Sequence, residues 1–519
     1  MLTGHDVDLC VIGAGPAGAL LADACAARGV HTLLVESGPR LDRADRPRQQ
    51  RRFLTLGESA WPRDPARDVF TNASSFGYSL NINRVRAVGG TTLHWIGMTP
   101  RLRESDFRTA TQFGLGMDWP LQYAELEPYY VRAEREMGVS GAQGPHDPWR
   151  SAPYPMEPFP DSFSDGLWRR AAAALGVELS TMPVAKNNAR TYDGRPPCTT
   201  FATCPICPGG AQYSADWHAF KAERSGHCEI LPGTTARRIE LDASGRVRVV
   251  HASARDGTPH EIRARVVVLA ASAVETARLL LLSRVGNQDM AGRHLMEHWK
   301  VAASGVSEER DYPRRIGFPT LTAYHAYEGE GRGERGAVRM LFPDPDDPLE
   351  SLGREPGLWG RAMARRDCER FGHLRRVEVS VEHLPNPDSR VTLDPAVQDC
   401  FGDPAPRLQF VLGDRDHRTL EAGRSALRAM MDAARLGDVR IGDAFYGGAH
   451  LMGTCRMSRR EEEGVADPDA RVHGTRNLYL AGSALFPTGG AVNPTLTIAA
   501  LSLRLADHLL QQLAAPPRG

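Results

Sequence analysis

The 519-residue sequence carries no excess of charge, since 63 basic side chains balance 63 acidic ones and the net charge with histidine neutral is zero. Without a basic field there is no electrostatic footprint for nucleic acid or an anionic membrane surface. No apolar run approaches the roughly 20 residues that span a bilayer; Leu279-Leu280-Leu281-Leu282 is far too short, so no membrane insertion is expected. The strand-like run at 7–12 begins so near the first methionine that no signal peptide fits before it, and no twin-arginine leader is present. A cytoplasmic location is expected, with export on a partner as the alternative. Nine cysteines over this length do not suggest a disulfide scaffold. Repeats and low-complexity tracts are absent, and Glu461-Glu462-Glu463 reads as a solvated loop. What is left is a chain long enough for two or three domains around a large core.

Against these absences stands a glycine-rich turn, Gly13-Ala14-Gly15-Pro16-Ala17-Gly18. It follows a buried-strand pattern at 7–12 and precedes a helix expected over 19–28 and a second strand over 32–35 ending at Glu36. Gly13 permits the tight turn, Gly15 lets backbone approach a pyrophosphate, and Gly18 lets helix pack on strand. The helix start would face the phosphates with unpaired N–H groups and its positive dipole end. Glu36 falls where a carboxylate would bind ribose hydroxyls, which fits FAD or NAD and disfavours a 2′-phosphate. A tight turn without a ligand is the competing reading, and the flanking strand, helix and acid weigh against it.

Further along, Gly89-Gly90-Thr91-Thr92 reads as a close-approach loop that aims His94 and Trp95 at whatever it cradles. Residues 120–214 mix helix and loop signals. Strands are expected at 246–251 and 265–270, with a hairpin turn at Asp256-Gly257, and a helix at 274–283 returns the chain to the nucleotide domain. Residues 300–440 look like a separate sheet-and-helix region, with strands at 377–382, 389–393 and 407–412 and an amphipathic helix at 418–436. The end of the chain reads as a strand at 478–481, a turn at Gly482-Ser483 and a helix at 494–510. Asn493 suits a helix N-cap and Pro494 the first helical position. That helix would point its positive end at the site.

These patches, in this order, resemble the glucose–methanol–choline (GMC) family of FAD-dependent oxidoreductases. They are GAGPAG with Glu36, VGGTTLHW, VVVLAASAVETARLLLLS, GRHLMEH at 292–298, LPNPDSRV at 384–391, HLMGTCRM, and NLYLAGSALFPTGGAVNPTLTIAALSLRLAD. The nearest relatives by motif look like pyranose and glycoside oxidases and the catalytic subunits of sugar dehydrogenases. The resemblance implies an α/β chain, α+β overall. A Rossmann-like FAD-binding domain (1–50, 80–119, 225–299 and 465–519) would be interleaved with a sheet-based substrate-binding or cap domain (120–224 and 300–464). It implies FAD held by Gly13, Gly15, Gly18, Glu36, Gly89, Gly90, Thr91, His94, Gly482, Pro494 and Thr495.

The resemblance also assigns the chemistry. His450 matches the family's base, which would take a hydroxyl proton while hydride leaves carbon for flavin N5. Asn493 matches the second position, where an amide can orient the substrate oxygen. That role competes with helix capping, and the substrate role is favoured. His298 and His294 are expected to be structural. His94 lies where pyranose oxidases attach flavin covalently, although related dehydrogenases carry a similar histidine without a bond. Cys198, Cys204 and Cys207 form C-x5-C-x2-C in a Pro-rich loop. The loop resembles one that holds an iron–sulfur cluster in multi-subunit sugar dehydrogenases, with a shorter last spacing and Thr199 where relatives often carry another cysteine. A vestigial or reduced cysteine loop without metal, with or without one CxxC disulfide, is the alternative. The expected reaction is oxidation of a sugar or glycoside hydroxyl, with oxygen, a quinone or a cytochrome subunit as acceptor. The other readings are a dehydrogenase subunit passing electrons through a cluster, an oxidase of a primary hydroxyl on an aminoglycoside-like compound, and a non-redox FAD lyase.

Overall fold

A computed structural model describes residues 3–56, 61, 63–199, 204, 206–311, 317–329, 331–343, 357–446 and 449–514. The chain is mixed α/β, with one largely parallel sheet and one antiparallel sheet.

The first sheet runs in the spatial order Cys228–Pro232, Thr32–Glu36, Thr3–Ile12, Pro259–Leu269, Val247–Ala254, Thr234–Leu241. Its centre is parallel, and Leu9, Cys10, Val11, Val267, Val268 and Leu269 are fully buried there. Such continuous apolar strands are what a sheet covered on both faces requires. The first strand starts at Thr3 rather than at residue 7, because Thr3 to Asp6 pair with His260 to Arg263. The turn at Asp256-Gly257 closes an antiparallel hairpin between Val247–Ala254 and Pro259–Leu269. Beyond that hairpin, Leu478–Leu480 adds in parallel beside Val267 to Leu269. The helix after the glycine turn spans Pro16–Ala26, starting earlier than the expected residue 19 because Pro16 opens it. It packs against Asp216–Arg224 and against the C-terminal helix Thr495–Ala514.

The second sheet is antiparallel, in the order Gly437–Ile441, Trp299–Val306, Leu374–Val381, Val338–Leu341, Leu321–Ala323, Leu179–Thr181. The amphipathic helix Asp414–Ala433 lies on it, and the helix Phe163–Ala174 packs against that helix. Trp168, Val301, Val377, Val379, Leu427 and Met430 form this second core. Two strands expected in this region go elsewhere. Arg390–Gln398 pairs with Pro404–Gln409, which in turn pairs with Thr71–Asn72, in a three-stranded sheet packed on the helix Ser272–Ser283. Alternating hydrophobicity identifies strands but not the sheet they join.

The segment between Ser283 and Trp299 links the first core to the second sheet, and Met296 bridges to Met452. That bridge brings His298 and His450 to the junction of the two cores. No helix among the described residues is long and apolar enough to cross a membrane.

Candidate active site

A single cavity of about 680 Å³ is lined by Gly13, Gly15 and Glu36 on one side and by His450 and Asn493 on the other. The glycine end is built from backbone. Gly13 has φ +107, and a Cβ there would lie 2.5 Å from the Ala270 carbonyl oxygen. A Cβ on Gly18 would overlap the carbonyl of Gly13, so Gly18 brings helix onto strand and does not itself face the cavity. Gly15 has open space where its Cβ would be, and it caps the helix without a side-chain bond, leaving first-turn N–H groups unused by side chains. The second glycine loop comes against the first: the Gly89 N–H donates to the Ala14 carbonyl at 2.9 Å, and a Cβ on Gly90 would sit 3.0 Å from the Gly15 Cα.

Glu36 is buried at the end of its strand and accepts from the N–H groups of Ala14 (2.9 Å) and Gly38 (2.8 Å). Burial raises its pKa, and the two backbone donors oppose that. Gly90, Thr91, His94, Gly482, Pro494 and Thr495 also border the cavity, while Gly89 lies just behind it. His94 is fixed by Nε2 against the Asn83 carbonyl at 2.8 Å, which leaves Nδ1 as the other ring nitrogen. Burial lowers its pKa, so the ring is neutral. Arg84 and Arg86, which sequence reasoning did not single out, border the cavity and share the carboxylate of Glu275, itself on the cavity wall, at 2.7 Å each.

The other end is built from side chains. The Asn493 Nδ2 donates to His450 Nε2 at 3.0 Å. Its Oδ1 accepts from the buried Arg339 Nη2 at 2.7 Å. With both ends of the amide engaged, Asn493 does not cap the helix. The helix begins at Thr495, one residue later than expected, and Pro494 lies outside it. The His450 ring meets His298 edge-on, with their Nδ1 atoms 2.9 Å apart, and His298 Nε2 contacts the Gly490 carbonyl at 2.9 Å. Below the rings, the Glu297 Oε1 accepts from the backbone N–H groups of both His298 (3.0 Å) and His450 (2.9 Å), and Tyr78 donates to its Oε2 at 3.3 Å.

The electrostatics follow from this burial. Desolvation, then His298, Lys300 and Arg339, hold the His450 pKa well below the usual histidine value. His298 is pushed to about 3 by burial and then by Arg339. Glu297, with little water to solvate it, is pushed up to about 7. A neutral imidazole with an orienting amide on a shared cavity wall can accept a proton from a hydroxyl and fix its oxygen. Arg339 had no local signal in the sequence, and Glu297, although it lies in the GRHLMEH patch, was not singled out there. The GRHLMEH patch pointed to His298 without revealing its partner, which lies 152 positions away.

Among the described residues no disulfide joins Cys198, Cys204 or Cys207. Cys198 and Cys204 pack beside Met98, Phe159 and Phe318, and the Cys207 sulfur accepts from the Gln212 N–H at 3.5 Å. Among the described residues, the three sulfurs do not gather within 4.8 Å of one another as the ligands of one ion would. The side chains that do gather so are Asp23, Glu136 and His218, and there the Lys221 ammonium already lies 3.7 Å from Asp23 and 3.6 Å from Glu136. Ile206, between Cys204 and Cys207, borders the main cavity with Trp61 and Val85.

Comparison with known proteins identifies the family. Residues 72–300 and 385–502 match the two family models described as GMC oxidoreductase. The chain is 30% identical to the fructose dehydrogenase large subunit of Gluconobacter japonicus, over 98% of each chain. It is 30% identical to the 6'''-hydroxyparomomycin C oxidase of Streptomyces lividus, over 98% of this chain and 92% of that one. Among solved structures, a formate oxidase variant from Aspergillus oryzae superposes with a TM-score of 0.67 over 99% of each chain, at 15% identity.

Proposed function

The chain belongs to the GMC oxidoreductase family, whose FAD-dependent members act on CH–OH groups, and from that premise we propose that it oxidises a hydroxyl of a sugar or glycoside to a carbonyl. The observation that carries the reading is the 3.0 Å contact between His450 Nε2 and Asn493 Nδ2 on the wall of the cavity that the glycine turn also lines. The residues present fit FAD. The glycine turn leaves a close-approach face at Gly15, helix N–H groups are open to a pyrophosphate, and Glu36 lines the same cavity, where it would meet ribose hydroxyls.

In this reading His450 Nε2 takes the hydroxyl proton, and its neutral state at working pH follows from its burial beside Lys300 and Arg339. Asn493 donates from Nδ2 to the substrate oxygen, held in that orientation by Arg339. FAD, when bound, supplies the acceptor for the hydride that leaves carbon. His94 stands on the cavity wall, and attachment through its free Nδ1 is the finer proposal. Colour that moves wholly to the supernatant on acid precipitation removes it. The carbohydrate class is supported by the names of two relatives, a fructose dehydrogenase subunit and an aminoglycoside oxidase.

Anaerobic addition of sugars, glycosides and aminoglycosides, read as bleaching of the long-wavelength flavin band, tests the reading. Bleaching by one of these classes is expected. Product formed without bleaching would point to lyase chemistry instead. A second reading, electrons leaving through an iron–sulfur cluster to a cytochrome, is favoured by one observation. The cysteine loop abuts the cavity through Ile206. Iron on the purified protein supports it, and iron-free protein that turns over with oxygen as sole acceptor removes it.

A further inference from the structure

We propose that His298 is a positioning residue that holds His450 in the tautomer with its proton on Nδ1 and a bare lone pair on Nε2. The inference rests on the reading of His450 as the base and explains how that base is prepared.

The hydrogen bonds fix the pattern from both ends. The Gly490 carbonyl can only accept, so His298 places its hydrogen on Nε2 and donates there at 2.9 Å. His298 is buried and neutral, so its Nδ1 is an acceptor. The ring nitrogen facing it at 2.9 Å, His450 Nδ1, must then carry a hydrogen. His450 is neutral too, which leaves Nε2 bare. From the other side, a guanidinium can only donate, so Arg339 Nη2 at 2.7 Å identifies the Asn493 oxygen. The Asn493 atom facing His450 Nε2 at 3.0 Å is therefore the amide nitrogen, a donor that needs a lone pair opposite it.

The opposite tautomer would create two conflicts at once. His450 Nδ1 would present a lone pair to the lone pair of His298, and Nε2–H would face the N–H of Asn493. Both contacts are partly buried, with His298 and Asn493 themselves buried, so an unmade or repulsive polar contact there is costly. The anchor of the chain is itself held. The Ala491 N–H donates to the Tyr327 hydroxyl at 3.0 Å, and that hydroxyl donates to Asp106 at 2.8 Å. Glu297 ties the backbones of the two histidines to one carboxylate oxygen, so the rings keep their spacing. After His450 Nε2 has taken a proton, its Nδ1–H still points at the neutral His298. The bond becomes charge-assisted and stabilises the imidazolium.

The experiment is nitrogen NMR of the histidine-labelled holoenzyme, with the His450 signals assigned by their loss in His450→Gln. His450 is expected to show a protonated Nδ1 and a bare Nε2. In His298→Leu the population should move to Nε2–H, and anaerobic flavin reduction should slow by about 10²-fold or more with KM little changed, since a wrong tautomer can cost on the order of 10⁴-fold. In His298→Asn, the side-chain oxygen can stand where ring Nδ1 stood. That variant should keep the tautomer and a rate within about 10-fold of the parent. A parent His450 protonated on Nε2, or a His298→Leu protein with unchanged tautomer and rate, overturns the proposal. If His298→Leu does not hold flavin, the parent spectrum and the Asn variant still decide. Parent-rate flavin reduction by His450→Gln would instead sink the base assignment, while the tautomer stays readable by NMR.

Discussion

At the glycine end of the cavity, the wall is backbone brought close by missing side chains: Gly13 beneath Ala270, Gly18 against Gly13, Gly90 against Gly15. At the histidine end, each side chain is held by another, from Arg339 through Asn493, His450 and His298 to Gly490. The first end suits a cofactor of the kind the family implies, because a peptide N–H offers the same donor whatever the sequence. The second suits a reaction, because ring tautomers and buried charges set which atom takes a proton. The two ends should therefore fail differently when altered.

The largest failure is expected at Gly18. A Cβ there meets the Gly13 carbonyl and the Val11 side chain at 3.1 Å, and the backbone of the turn has nowhere to move. Gly18→Ala should cost more than the roughly 0.5–3 kcal/mol of an ordinary substitution. It should yield protein with little flavin and a clearly lowered melting temperature. Gly15→Ala is the control within the motif, since nothing lies within 4 Å of its Cβ position. It should melt as the parent does when flavin-free, yet bind FAD more weakly. Equal flavin content in both variants would break the account of a backbone-built end.

Next in size is His450→Ala. The glycine end is untouched, so flavin content should match the parent, while anaerobic flavin reduction falls by about 10²–10⁴-fold, the usual contribution of a positioned base. Flavin lost together with activity would mean that the two ends are not separable.

This contrast also explains what could be read from the sequence alone. The glycine turn is legible because its strand, turn, helix and acid lie within residues 7–36, and each glycine answers a local steric demand. His450 and Asn493 were legible only through resemblance, since nothing in local pattern brings them within 3.0 Å of each other. Arg339 sits in a short, wholly buried strand that reads as core, and its cation faces Asn493 only because the second sheet docks on the first core. The strand expected at 389–393 forms, as Arg390–Gln398, yet joins the small sheet, because register and partner are set by distant chain. Helix capping by Asn493 was the sound local reading, and long-range hydrogen bonds displaced it.

The smallest expected effect tests whether the histidine end stores electrostatic cost that the glycine end does not. Burial raises the Glu297 carboxyl from 4.5 to about 7. A group that binds its proton more tightly when folded stabilises the fold fully below its unfolded value, and that contribution is lost as pH rises through the folded one. Glu297→Gln keeps a side-chain oxygen for the two backbone N–H donors and removes the charge. His298 and His450 act in the opposite direction, losing stability as pH falls below about 6.5, but they are present in both proteins and cancel in the difference. The melting temperature of the variant minus that of the parent should therefore increase by on the order of 2–3 °C between pH 4.5 and pH 8. A difference that stays flat across this range would mean that Glu297 is ionised at little cost, and that the bracing of the two histidines carries no buried charge.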